Sequence, residues 1–256
     1  LGPGNGTLLK DIYNYLTHQY IDVTQISAFE KSTFFKEKIK KEFPYSINFL
    51  NNLSDIMLKK NEILFVYSNE FFDAISSKQY VFKNEEFNEI KITKKDDEYM
   101  LISESTLLSS YLKNYYSNYN FLDGDILEHS SILIDILGDL KNILKENFFF
   151  SAMDYGYNKL PKKSTLRLIS NHQPINLFDK FDNVDYSFGV NFELIIDNFG
   201  KFNPILIKQR DLINNFIPKS FIKENDSEIT KAIEIISGKS FSDMGNSFNH
   251  ISFYFK

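Results

Sequence analysis

Apolar residues recur at Leu8, Leu9, Ile12, Tyr13 and Leu16, a spacing that lays one stripe along a helix, with Thr7 in position to cap it. A second helix is expected after Ser32, through Phe34, Phe35, Ile39 and Phe43, and Pro44 ends it. Between the two, residues 25–29 read as a short strand that stops at Glu30. Residues 47–50 form another candidate strand, and the unbroken apolar run at residues 63–67 suits a strand buried on both faces. Residues 79–82 and 87–92 read as a further strand or hairpin. This alternation predicts an α/β fold with a largely parallel sheet. Residues 101–144 read as mostly helical, and residues 148–153 as a second buried strand. Residues 157–190 are polar and turn-rich, a long loop of the kind that is usually functional or disordered. Helices near residues 192–199, 209–216 and 228–237 and a strand at 251–255 complete the pattern. No repeat and no clear linker divides the chain, so residues 1–256 are expected to form one domain.

Composition narrows the chemistry. With 256 residues, 43% hydrophobic and 25% charged, the chain can bury a sizeable core. Cysteine is absent, which excludes disulfides, thiolate nucleophiles and sulfur-based metal sites. His18, His129, His172 and His250 are too far apart in sequence to form a local histidine-pair metal motif. Each is better read as a surface or packed residue than as a catalyst, and His172, in the long loop, is the best candidate among them. The formal net charge is -5 and arginine occurs only at Arg167 and Arg210, so no dominant electrostatic grip on nucleic acid is expected. No apolar run approaches the ~20 residues that a membrane-spanning helix needs.

Five places could carry chemistry. The opening Leu1-Gly2-Pro3-Gly4-Asn5-Gly6-Thr7-Leu8 is a glycine turn leading into a helix, where bare backbone and unpaired N–H groups can meet a ligand. Such a turn normally follows a strand, so the chain is expected to be a fragment that lacks its first strand. Glu30 lies a little over twenty residues after Gly6, at the end of the next candidate strand, where an acid can accept both hydroxyls of an adenosine ribose. The spacing is that of a nucleoside-binding βαβ unit, although the order Gly2-x-Gly4-x-Gly6 departs from the G-x-G-x-x-G of dinucleotide sites and disfavours an oxidoreductase. Asn69-Glu70-Phe71-Phe72-Asp73-Ala74 follows the apolar run, and a helix starting there would set Glu70 and Asp73 on one face. Asp154-Tyr155-Gly156 follows the second buried strand, and Glu128 sits in a mostly apolar helical stretch. Each has a plain structural reading beside the functional one: a tight turn, acids complementing a helix N-terminus, or a solvated surface acid.

Taken together these residues resemble the MidA family of S-adenosylmethionine-dependent methyltransferases. The glycine turn is similar to the family's L-G-P-G-x-G-T-L element, which usually follows a strand, and Asn69 to Ala74 to its N-E-x-x-D-A element. Phe29-Glu30-Lys31-Ser32, Lys78-Gln79-Tyr80, Asp125-Ile126-Leu127-Glu128 and Met153-Asp154-Tyr155-Gly156-Tyr157 continue the likeness, in order. Thr165-Leu166 with His172, Val184-Asp185 with Val190 and Phe192, Gln209 to Ile213, and Met244-Gly245 with Phe248 extend it over essentially the whole chain. Ser76, Gly189, Asn191 and Asn249 depart from the family's usual residues.

The resemblance implies a Rossmann-like class I methyltransferase, N-terminally truncated. Its sheet would be mostly parallel with an antiparallel C-terminal strand, a helical insertion around residues 101–144 and a long loop around 157–190. It implies S-adenosyl-L-methionine as cofactor, held by Gly2, Gly4, Gly6, Thr7, Glu30 and Asn69, and no metal. Mitochondrial members methylate protein arginine during assembly of respiratory complex I, which implies a protein substrate such as a complex I subunit, allows a homodimer, and leaves bacterial cytoplasm or mitochondrial matrix as locations. An arginine acceptor stays protonated at physiological pH and needs carboxylates that bind its planar fork and take up a proton. Glu70 and Asp73 are the first choices for that role, Glu128 and Asp154 the second. A catalytically degenerate cofactor-binding assembly factor and a methyltransferase with another acceptor are the alternatives.

Overall fold

The computed structural model describes residues 1–171, 173–179, 183–216, 227–238 and 244–256. His172 lies outside the described residues. Along the chain run α1 (Thr7–His18), β1 (Ser27–Phe29), α2 (Thr33–Glu42), β2 (Asn48–Leu50) and β3 (Leu64–Asn69). Then come β4 (Lys78–Lys83), β5 (Glu86–Lys95), β6 (Glu98–Ser105), α3 (Ser109–Tyr115), β7 (Ile126–His129) and α4 (Ser131–Ile143). They are followed by β8 (Phe148–Tyr157), β9 (Arg167–Ser170), β10 (Gln173–Pro174), β11 (Asp185–Ser187), β12 (Val190–Asn191) and α5 (Phe192–Phe199). The last described elements are β13 (Ile205–Lys208), α6 (Gln209–Phe216), α7 (Ser227–Ser237), α8 (Met244–Ser247) and β14 (Phe248–Phe255). Contacts divide the chain into two compact units, Leu1–Phe71 with Ile136–Gly156 and Leu194–Lys256, and Phe72–Asp135 with Tyr157–Glu193.

In the first unit β8 is central, flanked by β3 in parallel and β14 in antiparallel register, and β14 pairs antiparallel with β13. This sheet is mixed, where the sequence pattern and the family likeness pointed to a mostly parallel one. The C-terminal strand is antiparallel, and it begins at Phe248, earlier than its apolar run suggested. Phe148, Phe150 and Ala152 alternate onto one face of β8 and are fully buried against Phe199, Phe202 and Phe253, with Phe150 and Phe253 stacked at 4.7 Å. The other face is more open than expected: Phe65 of β3 is 42% exposed and pairs with Phe149, 38% exposed. β1 and β2 form a separate parallel pair. The Leu1 nitrogen donates to the Tyr67 carbonyl at 2.7 Å and the Gly2 amide to the Phe29 carbonyl at 2.9 Å, so residues 1 and 2 bond to both β3 and β1.

His250 of β14 is buried in this unit, with its Nε2 2.9 Å from the Ser151 hydroxyl and its Nδ1 without a partner among the described residues. Burial pushes its pKa below the ordinary 6.5. The unfolded chain therefore takes up a proton near pH 6.5 that the folded chain refuses until lower pH, and stability falls as pH drops through that window. His129 of the second unit, buried and 3.1 Å from the Tyr116 hydroxyl, shifts in the same direction for the same reason. Thermal melts are expected to show lower midpoints at pH 5.5 than at pH 7.5, and His250→Gln with His129→Gln should flatten that dependence. An unchanged slope in the double variant would assign the acid sensitivity to other groups.

The second unit is built on an antiparallel sheet in the order β6-β5-β4-β7. Two-residue turns close its hairpins, at Asn84 and Glu85 (φ 52° and 62°) and at Asp96 and Asp97 (φ 49° and 65°). Positive φ at both central positions matches the right-handed twist of the strands they join. The expected helical insertion is thus only partly helical: β6 runs to Ser105, β7 separates α3 from α4, and the helices cover Ser109–Tyr115 and Ser131–Ile143. Within residues 157–190, β9 is flanked by β10 and β11 in a small antiparallel sheet. Tyr80, Phe87, Leu112, Tyr116 and Leu127 form the unit's core. The Tyr80 hydroxyl is fully buried there with no partner among the described residues. A buried unsatisfied hydroxyl costs about 1–3 kcal/mol, so Tyr80→Phe should match or exceed the native urea midpoint. A fall of the midpoint by more than an ordinary core repacking would show that the hydroxyl is satisfied in solution.

Candidate functional site

The glycine turn is closed by the Gly6 amide donating to the Pro3 carbonyl at 2.9 Å, and α1 starts immediately after it. Gly6, in the left-handed region at φ 82°, takes the cap position expected for Thr7. Thr7 is instead the first helical residue, its amide donating to Asn5 Oδ1 at 3.1 Å. Leu9, Ile12, Tyr13 and Leu16 are half-buried, while Leu8 stays exposed. Two glycines are required for opposite reasons. Gly2 lies at φ 55°, and a Cβ there would stand 2.8 Å from the Phe71 ring. Gly4 lies at φ 54°, and a Cβ there would meet nothing within 4 Å, so bare backbone faces open space.

Glu30 follows β1 directly. Ser32 caps α2 by accepting from the Phe35 amide, which fixes the chain's direction after the acid. Glu30 Oε2 accepts from the Gly4 amide at 3.3 Å and Oε1 from the Ser32 amide at 2.9 Å. A carboxylate has about four lone-pair sites, so both oxygens keep acceptor capacity while the backbone holds the group beside the turn.

Glu70 stands just past the carboxyl end of β3 in the left-handed region, φ 49°, a conformation uncommon for a residue with a Cβ. Its amide donates to the Met153 carbonyl at 3.0 Å, and its Oε1 accepts from Asn69 Nδ2 at 3.1 Å. The side chain is exposed. No helix begins here: the left-handed residue breaks the helical path, and a turn closes from the Ile75 amide to the Phe72 carbonyl at 3.2 Å. Glu70 and Asp73 therefore do not share the helix face expected of them.

Asp154 is completely buried in β8. Its Oδ2 accepts from the Phe71 amide at 3.1 Å and its Oδ1 from the Tyr155 amide at 2.9 Å. Gly2, Gly4, Glu30, Asn69, Glu70 and Asp154 are thus tied by hydrogen bonds or close contact to neighbouring ends of β1, β3 and β8, on one edge of the first unit. Open α/β sheets bind ligands at such carboxyl ends.

Asp73 and Glu128 belong to the second unit. The Asp73 carbonyl accepts from the Phe188 amide at 3.0 Å. Glu128 is buried, its Oε1 accepting from Gln79 Nε2 and the Thr165 amide, each at 2.8 Å, and its Oε2 from the Thr165 hydroxyl. Thr165 Oγ1 in turn accepts from the Gly189 amide at 2.8 Å, so Glu128 holds Thr165 and, through it, Gly189. A Cβ at Gly189 would stand 3.2 Å from Thr165 and 3.3 Å from Tyr157, which explains a residue without a side chain there. Gln79 and Thr165 as partners of Glu128 were not legible in the sequence, because they lie 49 and 37 residues away. Asn249, another departure, donates through Nδ2 to the Gly156 carbonyl at 3.1 Å.

Residues 1–202 match the sequence profile of a family described as "Putative S-adenosyl-L-methionine-dependent methyltransferase". The fold resembles that of an uncharacterized COG1565 superfamily protein from Burkholderia thailandensis, with a TM-score of 0.76 and 16% identity over 99% of this chain and 72% of the other. It also resembles a COG1565 superfamily member from the same organism in a crystal structure with S-adenosyl-homocysteine bound. There the TM-score is 0.73 and the identity 16%, over 99% of this chain and 70% of the other. At that identity the likeness is one of fold.

Proposed function

Because this chain belongs to that family of S-adenosyl-L-methionine-dependent methyltransferases, we propose that its first unit holds the methyl donor at the glycine turn and Glu30 and receives a protein arginine at Glu70. S-adenosyl-L-methionine is the cofactor. The observation that carries the reading is the gathering of Gly4, Glu30, Glu70 and Asp154 on one strand-end edge. The residues present fit the cofactor: Gly4 offers open backbone, and Glu30 keeps free acceptor sites for ribose hydroxyls. When bound, the cofactor supplies an electrophilic methyl group on a sulfonium.

What the chain contributes is positioning and a proton acceptor. Methyl transfer is an in-line displacement, and much of its acceleration comes from holding the acceptor nitrogen in line. Glu70 can bind the guanidinium fork through its carboxylate, while Asn69 holds Oε1 and restricts the side chain's rotation. The same carboxylate accepts the proton that the nitrogen releases. Asp154 acts one step back: by fixing the Phe71 amide it fixes the backbone that aims Glu70, and is a positioning residue. Glu128 has its carboxylate taken up by Gln79 and Thr165 and is best read as the group that holds Thr165 and, through it, Gly189. On the family likeness alone Asp73, in the second unit, stays a candidate acid, with no place in the site built on the first unit. That likeness to MidA also supports a subunit of respiratory complex I as the protein methylated.

Calorimetry with S-adenosylmethionine, S-adenosylhomocysteine and NAD tests the cofactor reading: the first two should bind and NAD should not. Transfer of a radiolabelled methyl group to candidate proteins, followed by amino-acid analysis, tests the acceptor. Label in methylarginine supports the assignment, whereas label in another residue moves the acceptor. Failure of both sulfur ligands to bind would sink the methyltransferase reading of this edge.

A further inference from the structure

The first unit's sheet changes character at its last same-face row. Ser68, Ala152, Ile251 and Leu206 lie in register across β3, β8, β14 and β13, and the first three are buried. One row further, Asp154 faces Asn249 and Asn249 faces Lys208. β13 is antiparallel to β14, which is antiparallel to β8, so β13 ends on the same edge as β3 and β8. Lys208 is its last residue.

Lys208 is half-buried, and its ammonium has no hydrogen bond or ion pair among the described residues. Its neighbour Arg210 is already engaged by Asp211 at 3.4 Å and by Asn246 Oδ1 at 3.1 Å. Burial and the Arg210 charge push the Lys208 pKa down, against an upward pull from Asp211, so the nearby acid offsets only part of the cost of the half-buried cation. The cofactor's carboxylate is a poor candidate to offset the remainder. Lys208 stands three strand spacings from the end of β3, about 14 Å, on the side away from the glycine turn.

We propose that Lys208 anchors a carboxylate of the acceptor, an acidic residue within about four positions of the methylated one, the span that an extended peptide needs to cover that distance. This rests on the protein-acceptor reading above, with Glu70 taking the cation at one end of the edge and Lys208 the anion at the other.

The test uses glutarate as probe, so that it needs no knowledge of the acceptor. In the protein saturated with S-adenosylhomocysteine, glutarate should produce saturable shifts of the Lys208 and Asn249 backbone amides. Lys208→Arg should retain them, and Lys208→Met should weaken the interaction about tenfold or more while the rest of the spectrum stays native. Affinity for S-adenosylhomocysteine should be the same in Lys208→Met as in the unaltered protein. Shifts that persist in Lys208→Met overturn the proposal. A tenfold loss of S-adenosylhomocysteine affinity also overturns it, by giving the lysine to the cofactor's own carboxylate. If the unaltered protein fails to bind S-adenosylhomocysteine, the methyltransferase reading falls, and the glutarate titration of the free protein still decides whether Lys208 is an anion site.

Discussion

Glu30→Ala is expected to weaken S-adenosylhomocysteine binding about 100-fold. Two hydrogen bonds from ribose hydroxyls to a carboxylate contribute about 1.5–3 kcal/mol each, and the lower end already corresponds to roughly that factor. The acid is placed for the task by local sequence: it ends β1, and Ser32 turns the chain into α2 while its own amide holds Oε1. The substitution also removes the acceptor of the Gly4 and Ser32 amides, so part of the loss could come from a loosened turn. Glu30→Gln separates the two contributions. It keeps a carbonyl for one backbone amide and the volume of the side chain, yet replaces one acceptor oxygen by a donor and removes the charge. Calorimetry on both variants, alongside melting curves, gives the comparison. Retained affinity in Glu30→Ala would show that the ribose is held elsewhere.

Glu70→Gln is expected to lower turnover by about 10²–10⁴, the range for loss of a positioned proton acceptor, with cofactor affinity unchanged. The amide can still hydrogen-bond, but it cannot take the proton that the guanidinium releases. Unchanged turnover in this variant would remove Glu70 from the chemistry. The backbone at this position offers a second, independent measurement. Holding a residue with a Cβ in the left-handed region costs about 1 kcal/mol, a cost that glycine does not carry. Glu70→Gly should therefore fold at least as stably as the native chain and still fail to turn over. A residue retained at φ 49° for structure alone would show the opposite, with lower stability and normal activity. Local strain of this kind collects where side chains have a task that the backbone would not choose.

Much of the first unit was legible. Helical spacing marked α1 and α2, Ser32 and Pro44 bounded α2, and short apolar runs marked β1, β2, β3 and the start of β8. Local chemistry decides those elements. The hairpin of β5 and β6 was missed because residues 98–105 lack clean alternation: most are exposed, and the turn is made by Asp96 and Asp97 rather than by an Asn-Gly pair. β13 was missed because it is only Ile205–Lys208, too short for a periodic signal. The parallel sheet was overestimated for a related reason: strand direction depends on partners far along the chain, and β14 meets β8 across 99 residues at the Ser151–His250 contact.

The candidate site divides along the same line. By itself the sequence determined the bare glycine turn, the acid at the end of the next strand and the acid just past β3, because residue type and spacing suffice to make a turn, a cap or a strand end; it placed Asp154 after a strand, whereas β8 runs on through it to Tyr157. Only the tertiary structure decided what those groups do. It showed that Gly4 faces open space and Gly2 does not, that Glu70 sits in a left-handed bend instead of a helix, and that the Asp154 carboxylate accepts backbone amides from within the sheet. It showed equally that Glu128 holds Thr165, which in turn holds Gly189, and that Lys208 ends a strand on the same edge with no ion pair among the described residues. A side chain's spare hydrogen-bonding capacity depends on which distant backbone groups have already occupied it, and strand pairing sets those neighbours.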